Sequence, residues 1–204
     1  MDIQAILFDA DGVIQRPSAL RREAWQNLLG PERDVDTFVN AVFEGERLAL
    51  EGGSDFIGAL SGLLVDWRCQ GTLPDALAAW TMIEPDPGMT QLVRALRRGG
   101  VRCYLATNQE PHRASYMSEQ LGYCGLFDRE FYSCRMGVAK PATTYFRLIV
   151  GELGLSPDNV LFLDDHEINV NSAQEAGLHV AQFFVDSGSL NLVRTLTDFG
   201  IHVV

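Results

Sequence analysis

The 204-residue sequence predicts an α/β fold: a parallel sheet with helices on both faces, and a small helical segment inserted after the first strand. Three observations carry this reading. From residue 86 onward, apolar strand-like runs alternate with amphipathic stretches of helical length, the pattern of a parallel sheet covered on both sides. The links between them are short, and Gly99-Gly100, Gly122, Gly154 and Gly177 fall where a helix should stop and feed a strand. Finally, the first strand-like run ends at residue 8 and the next opens at 101, although a strand-helix-strand unit needs only about 30 residues.

In chain order, Ile3 to Phe8 reads as a buried strand, ended by Asp9-Ala10-Asp11-Gly12, where glycine permits a tight turn. The stretch from Pro17 to Trp80 is mostly helical in pattern. Ser18 is placed to cap a helix through Leu29, the run from Val35 to Leu50 carries apolar residues three and four apart, and a further segment spans 55–64 after Gly52-Gly53. Glu84-Pro85-Asp86-Pro87-Gly88 is a turn-rich linker. Beyond it the expected order is helix 89–98, strand 101–106, helix 113–121, strand 130–133, helix 143–153, strand 160–163, helix 168–176, strand 179–185 and a last helix from Leu190. The expected division is therefore a core of 1–15 and 86–204 and an insert of 16–85. The insert follows the acid-bearing strand end directly, which makes it a candidate lid. Trp25, Trp67 and Trp80 are expected in its interior, and Glu44 and Arg47 are candidates to face a substrate.

Composition narrows the functional classes. The chain is 47% apolar and 21% charged, near the averages of folded globular proteins, so neither disorder nor a fibrous architecture is indicated. No apolar run approaches the roughly 20 residues that span a bilayer. The N-terminus lacks the basic preface of a secretory signal, so a cytoplasmic location is expected. Cys69, Cys103, Cys124 and Cys134 are scattered without a Cys-x-x-Cys pair, which argues against a zinc site or disulfide framework. The net charge of −11 disfavours nucleic acid and anionic membranes as partners. A small phosphorylated metabolite remains compatible, because a local cation suffices to hold it. Charge does not fix the oligomeric state.

Ligands of open parallel sheets bind at the carboxyl ends of the strands. The first strand delivers Asp9 and Asp11 there, the second Thr107 and Asn108, and a later one Asp164 and Asp165. So many carboxylates in one place repel unless a cation joins them, and an all-oxygen set favours a hard ion such as Mg²⁺. Lys140, before Pro141 and a helix, balances remaining charge. Such a site suits attack by a carboxylate on phosphorus, with a second carboxylate moving the proton.

These residues resemble a known family. Phe8-Asp9-Ala10-Asp11-Gly12-Val13, Leu105-Ala106-Thr107-Asn108, Gly137-Val138-Ala139-Lys140-Pro141 and Leu161-Phe162-Leu163-Asp164-Asp165 are similar, in order, to the four motifs of the haloacid dehalogenase superfamily. The resemblance covers a Rossmann-like core of about two thirds of the chain. It implies Asp9 as nucleophile, Asp11 as general acid/base and Mg²⁺ ligand through its carbonyl, Thr107 as phosphate binder and Lys140 as stabiliser of the phospho-enzyme. It implies Asp165 as a direct metal ligand, with Asp164 beside it or acting through water. It also implies that the insert is a helical cap. Within the superfamily the chain resembles the sugar-phosphate phosphatases and the N-terminal phosphatase domain of soluble epoxide hydrolases, which share the Phe-Leu-Asp-Asp and the following Asn169. It departs from the usual pattern at Ala142, where relatives carry an acid. The expected function is Mg²⁺-dependent hydrolysis of a small phosphate monoester through an aspartyl-phosphate. The alternatives are haloacid dehalogenase or phosphomutase chemistry on the same scaffold, a phosphoacceptor like a signalling receiver, and a non-catalytic binding protein. Asp11, length and the Asp9/Asp11 spacing disfavour the dehalogenase and the receiver.

Overall fold

The computed structural model describes residues 2–203. Its centre is a five-stranded parallel sheet of β1 (Ala5–Phe8), β4 (Arg102–Thr107), β5 (Arg129–Tyr132), β6 (Val160–Asp164) and β7 (His179–Gln182), in the order β5-β4-β1-β6-β7. β1 therefore lies in the middle, paired with β4 on one side and β6 on the other. The chain builds outward from it first in one direction and then in the other, so the strand order reverses at β1, where the carboxyl ends leave a crevice.

Alternate residues of these strands enter two different cores. Ile6, Phe8, Cys103, Leu105, Leu161 and Leu163 join one apolar cluster, and Ala5, Leu7, Tyr104, Ala106, Val160 and Phe162 join the other. That two-residue alternation is why β1 reads as a continuous apolar run. The first face is covered by α5 (Pro87–Arg98), α6 (Pro111–Glu119) and α11 (Ser189–Asp198), through Met89, Val93, Met117, Leu192 and Leu196. The second is covered by α9 (Thr143–Leu153) and α10 (Glu167–Glu175), through Phe146, Ile149 and Ala173. Each large side chain buried here contributes about 2 kcal/mol relative to exposure. The short α7 (Tyr123–Leu126) and α8 (Ser133–Met136) flank β5.

Between β1 and β4 lies a separate helical unit of α1 (Arg21–Leu29), α2 (Val35–Arg47), α3 (Phe56–Asp66) and α4 (Leu73–Trp80). It has its own interior, with Trp25, Phe38, Leu60 and Trp80 buried and Trp67 packed against them. A two-stranded antiparallel ribbon, β2 (Gln15–Pro17) with β3 (Ile83–Pro85), joins it to the sheet domain.

The boundaries depart from the sequence reading in informative ways. Ser18 does not cap α1. Its amide continues the ribbon by bonding the Met82 carbonyl, and the helix starts at Arg21 with no side-chain cap. The helix expected at 113 starts at Pro111, because Glu110 accepts from the amides of His112 and Arg113 at 2.6 and 2.7 Å. The strand expected to reach 185 ends at Gln182, after which the Val185 amide bonds the Gly12 carbonyl at 2.6 Å and the chain folds over the first strand's turn. No helix among the described residues is long and apolar enough to cross a membrane.

Candidate active site

The carboxyl end of β1 places Asp9 in a cavity of about 350 Å³ lined by Asp9, Asp11, Thr107, Asn108 and Lys140 from the sheet domain and by Phe43 and Glu46 from α2. Each strand end contributes through its own geometry. The Asp9 amide extends the ladder by donating to the Leu163 carbonyl at 2.9 Å, which ties the first turn to the strand bearing Asp164. Gly12 has φ +77°, and a side chain there would collide with the Asp165 carboxylate. Only glycine lets the turn and that acid meet.

Lys140 lies at the centre of the charge pattern. Its Nζ donates to Asp9 Oδ1 at 2.7 Å and to Asp164 Oδ2 at 2.6 Å, and all three groups are buried. Burial pushes the Lys140 pKa down, but the two carboxylates outweigh it and hold it above the usual lysine range. Asn108 fixes this lysine from the neighbouring strand: its Nδ2 donates to the Lys140 carbonyl at 2.8 Å and its Oδ1 accepts from the Lys140 amide at 2.9 Å. Asn108 borders the cavity, but its amide group is committed to that backbone.

Asp9 is strongly perturbed. Burial raises its pKa to about 7, Lys140 opposes the shift, and Asp164 and Asp11 add to it. Asp11 goes the other way: burial raises its pKa, yet Arg113, Gln15 and Gln109 more than reverse this and hold it low. Arg113 Nη2 and Gln15 Nε2 donate to Oδ1 at 2.8 and 2.9 Å, and Gln109 Nε2 to Oδ2 at 2.8 Å. Asp164 is fully occupied by Lys140, by Asn169 Nδ2 at 3.1 Å to both oxygens, and by the His166 amide at 2.8 Å. Asp165 keeps more freedom, its Oδ1 lying 2.7 Å from His166 Nδ1.

Asp164, Asp165 and His166 bring ligand atoms within 4.8 Å of one another. Asp164 and Asp165 offer carboxylate oxygens there, a donor type that fits a hard divalent cation. Asp164, saturated by donors, is better suited to orienting its neighbours than to binding an ion directly.

The structure thus brings together Asp9, Asp11, Thr107, Asn108 and Lys140 around one cavity, with Asp164 behind Lys140 and Asp165 against the first turn. Glu44 and Arg47 are not part of it; they are exposed and paired with each other at 3.0 Å. Sequence reasoning missed Gln15, Gln109 and Arg113, which surround Asp11, set aside His166, which lines the cavity, and missed Glu46. The Glu46 signal was present, since Val35, Phe38, Val42, Glu46 and Ala49 follow one helical stripe and an acid on an apolar stripe is unusual.

A parallel sheet that gathers acids, a lysine and a threonine at the carboxyl end of its central strand defines a hydrolytic enzyme of the α/β class. Residues 3–177 match the haloacid dehalogenase-like hydrolases, and the chain belongs to that family. A stretch covering 57% of the chain is 29% identical to flavin mononucleotide hydrolase 1 of Arabidopsis thaliana, covering 46% of that protein. Another, covering 47% of the chain, is 31% identical to the sesquiterpene phosphatase astK of Aspergillus oryzae and covers 49% of it. The matches thus span about half the length of these relatives. The fold is shared with a haloacid dehalogenase family enzyme of Bacteroides thetaiotaomicron solved as a magnesium complex, at a TM-score of 0.74 and 20% identity over 90% of this chain and 94% of that one.

Proposed function

We propose that the protein is a Mg²⁺-dependent phosphatase that hydrolyses a small phosphate monoester through an aspartyl-phosphate on Asp9. In this reading residues 16–85 act as a cap over a core of 1–15 and 86–204. The observation that carries it is the buried Lys140 ammonium between Asp9 and Asp164 at 2.7 and 2.6 Å, beside Thr107 and next to a cavity large enough for a phosphoryl group and a small alcohol. Asp9 and Asp165, with the Asp11 carbonyl, would hold the ion, and Asp164 would orient them. When bound, Mg²⁺ supplies charge neutralisation for the phosphoryl oxygens and for the crowded acids.

An Asp9 carboxylate oxygen forms a bond to phosphorus while the bond to the alcohol oxygen breaks. Asp11 gives that oxygen its proton, then takes one from the water that attacks the acyl-phosphate, and Asp9 is released as a carboxylate. Lys140 and the Thr107 hydroxyl stabilise charge on the phosphoryl oxygens in both steps. Asp11 is held ionised by Arg113, Gln15 and Gln109, the state that suits the second step; the first needs that hold to loosen as substrate enters. The two relatives named as acting on flavin mononucleotide and as a sesquiterpene phosphatase favour phosphate esters over haloacids, as does Asp11, for which displacement of a halide has no use.

The test is phosphate release from p-nitrophenyl phosphate. Activity is expected with Mg²⁺, and is expected to vanish in excess EDTA and in Asp9→Ala. Equal turnover with EDTA, or with Asp9 replaced, would overturn the reading.

A further inference from the structure

Glu46 is placed oddly for a carboxylate. It sits on the apolar stripe of α2 beside Val42 and Phe38, is only 8% exposed, and lines the cavity that holds Asp9, Thr107 and Lys140. Among the described residues its carboxylate takes part in no hydrogen bond or ion pair. A carboxyl that borders the cavity and has no protein partner is free to bond to what enters it. Its surroundings narrow what that is. Arg113 lines the same cavity with a side chain 3% exposed, already gives Nη2 to Asp11 at 2.8 Å, and leaves its Nε without a partner. Arg21 and Arg113 both lie over the Trp80 ring, at 5.0 and 5.2 Å, and Trp80 is anchored by its Nε1 to Glu110 at 3.0 Å. Two guanidinium groups are therefore fixed near Glu46.

We infer that Glu46 and Arg113 read the alcohol portion of the substrate, and that this portion carries hydroxyl groups near the ester oxygen. The inference rests on the phosphatase reading and adds a substrate class to it. A hydroxyl can donate to Glu46 and accept from Arg113 at once. An ammonium on the substrate would be repelled by the two guanidinium groups, and a plain alkyl chain would leave the acid without a partner. Burial raises the Glu46 pKa to about 8, so near neutrality it is largely the acid form, which both donates to and accepts from a hydroxyl.

The experiment compares kcat/KM for glycerol 3-phosphate, n-propyl phosphate and O-phosphoethanolamine with Mg²⁺. Wild type is expected to prefer glycerol 3-phosphate over n-propyl phosphate by about tenfold or more, the worth of one such hydrogen bond. In Glu46→Leu the ratio should fall toward one, while Glu46→Gln, which still donates and accepts, should keep part of it. Glu46→Leu should also melt at or above the wild-type temperature, since it replaces an unpartnered buried acid with an apolar group of similar shape. A merely structural role would lower that temperature and leave the ratio unmoved. Equal efficiency on glycerol and propyl phosphates in wild type, or a preference for the ammonium, would overturn the inference and leave the phosphatase reading intact. If none of the esters is turned over, p-nitrophenyl phosphate included, the phosphatase reading falls and takes the inference with it.

Discussion

In the proposed mechanism Asp9 has to be ionised to attack phosphorus, and its burial works against that. Its folded pKa of about 7 lies above the ordinary carboxylate value of 3.8, so in the metal-free protein Asp9 binds a proton that the unfolded chain has already lost between pH 4 and 7. This group's unfavourable contribution to stability is absent at acid pH and grows as pH rises through that window. A divalent cation held by Asp9, as proposed, would have to displace the same proton. The apparent Mg²⁺ affinity is therefore expected to fall about tenfold per pH unit below 7 and to level off above it, as titration calorimetry at several pH values would measure. A flat affinity from pH 5.5 to 8 would mean that binding the ion displaces no proton from Asp9. Asp11 calls for a different test. Asp11→Asn removes the proposed proton carrier, so turnover should slow by about 10²–10⁴, with enzyme accumulating one phosphoryl group in intact-mass measurements. Rapid turnover without accumulation would assign the proton to another group. The acids themselves were legible in the sequence because each ends an apolar strand. Gln15, Gln109 and Arg113 were not, because their role depends on how a turn, a loop and α6 converge on one carboxylate.

At the level of elements, the sheet strands and their covering helices follow the apolar pattern closely, since long buried runs leave little choice. The ribbon of β2 and β3 was invisible for the opposite reason: three-residue strands that contain or end in proline carry no period to detect. Yet it is the joint between the two halves, and Asp86 organises it. The Asp86 amide bonds the Ile14 carbonyl at 2.8 Å, its Oδ1 caps α5 by accepting from the Met89 amide at 3.0 Å, and its Oδ2 pairs with Arg16. The ion pair is partly exposed on the arginine side and adds little, so the cap dominates. Asp86→Ala is expected to cost about 1 kcal/mol, a fall of about 2–4 °C in Tm for a chain of this size. A Tm unchanged from wild type in a thermal melt would remove the capping role.

For the whole molecule, the decisive property is that the helical unit and the sheet domain have separate interiors. The cluster around Trp25, Phe38 and Trp80 shares no residue with the two clusters that sandwich the sheet. What crosses the seam is sparse and polar: the Trp80–Glu110 hydrogen bond, the Arg113 guanidinium over the Trp80 ring, and Gly52 against the Cys134 carbonyl. The length of chain between the first two strands foretold an insert, but not where it would dock, because docking is set by a few polar contacts with no periodicity. Units joined in this way open at different free energies. In hydrogen exchange, amides of α1 to α4 are expected to exchange as a block with weaker protection than those of β1, β4 and β6. Mg²⁺ with inorganic phosphate, bound at the seam, should narrow the gap, because a ligand stabilises only the states that hold its whole site. If the helices and the central strands instead exchanged at one common free energy, the seam would be part of a single cooperative core. Substrate entry would then have to proceed without separation of the two halves.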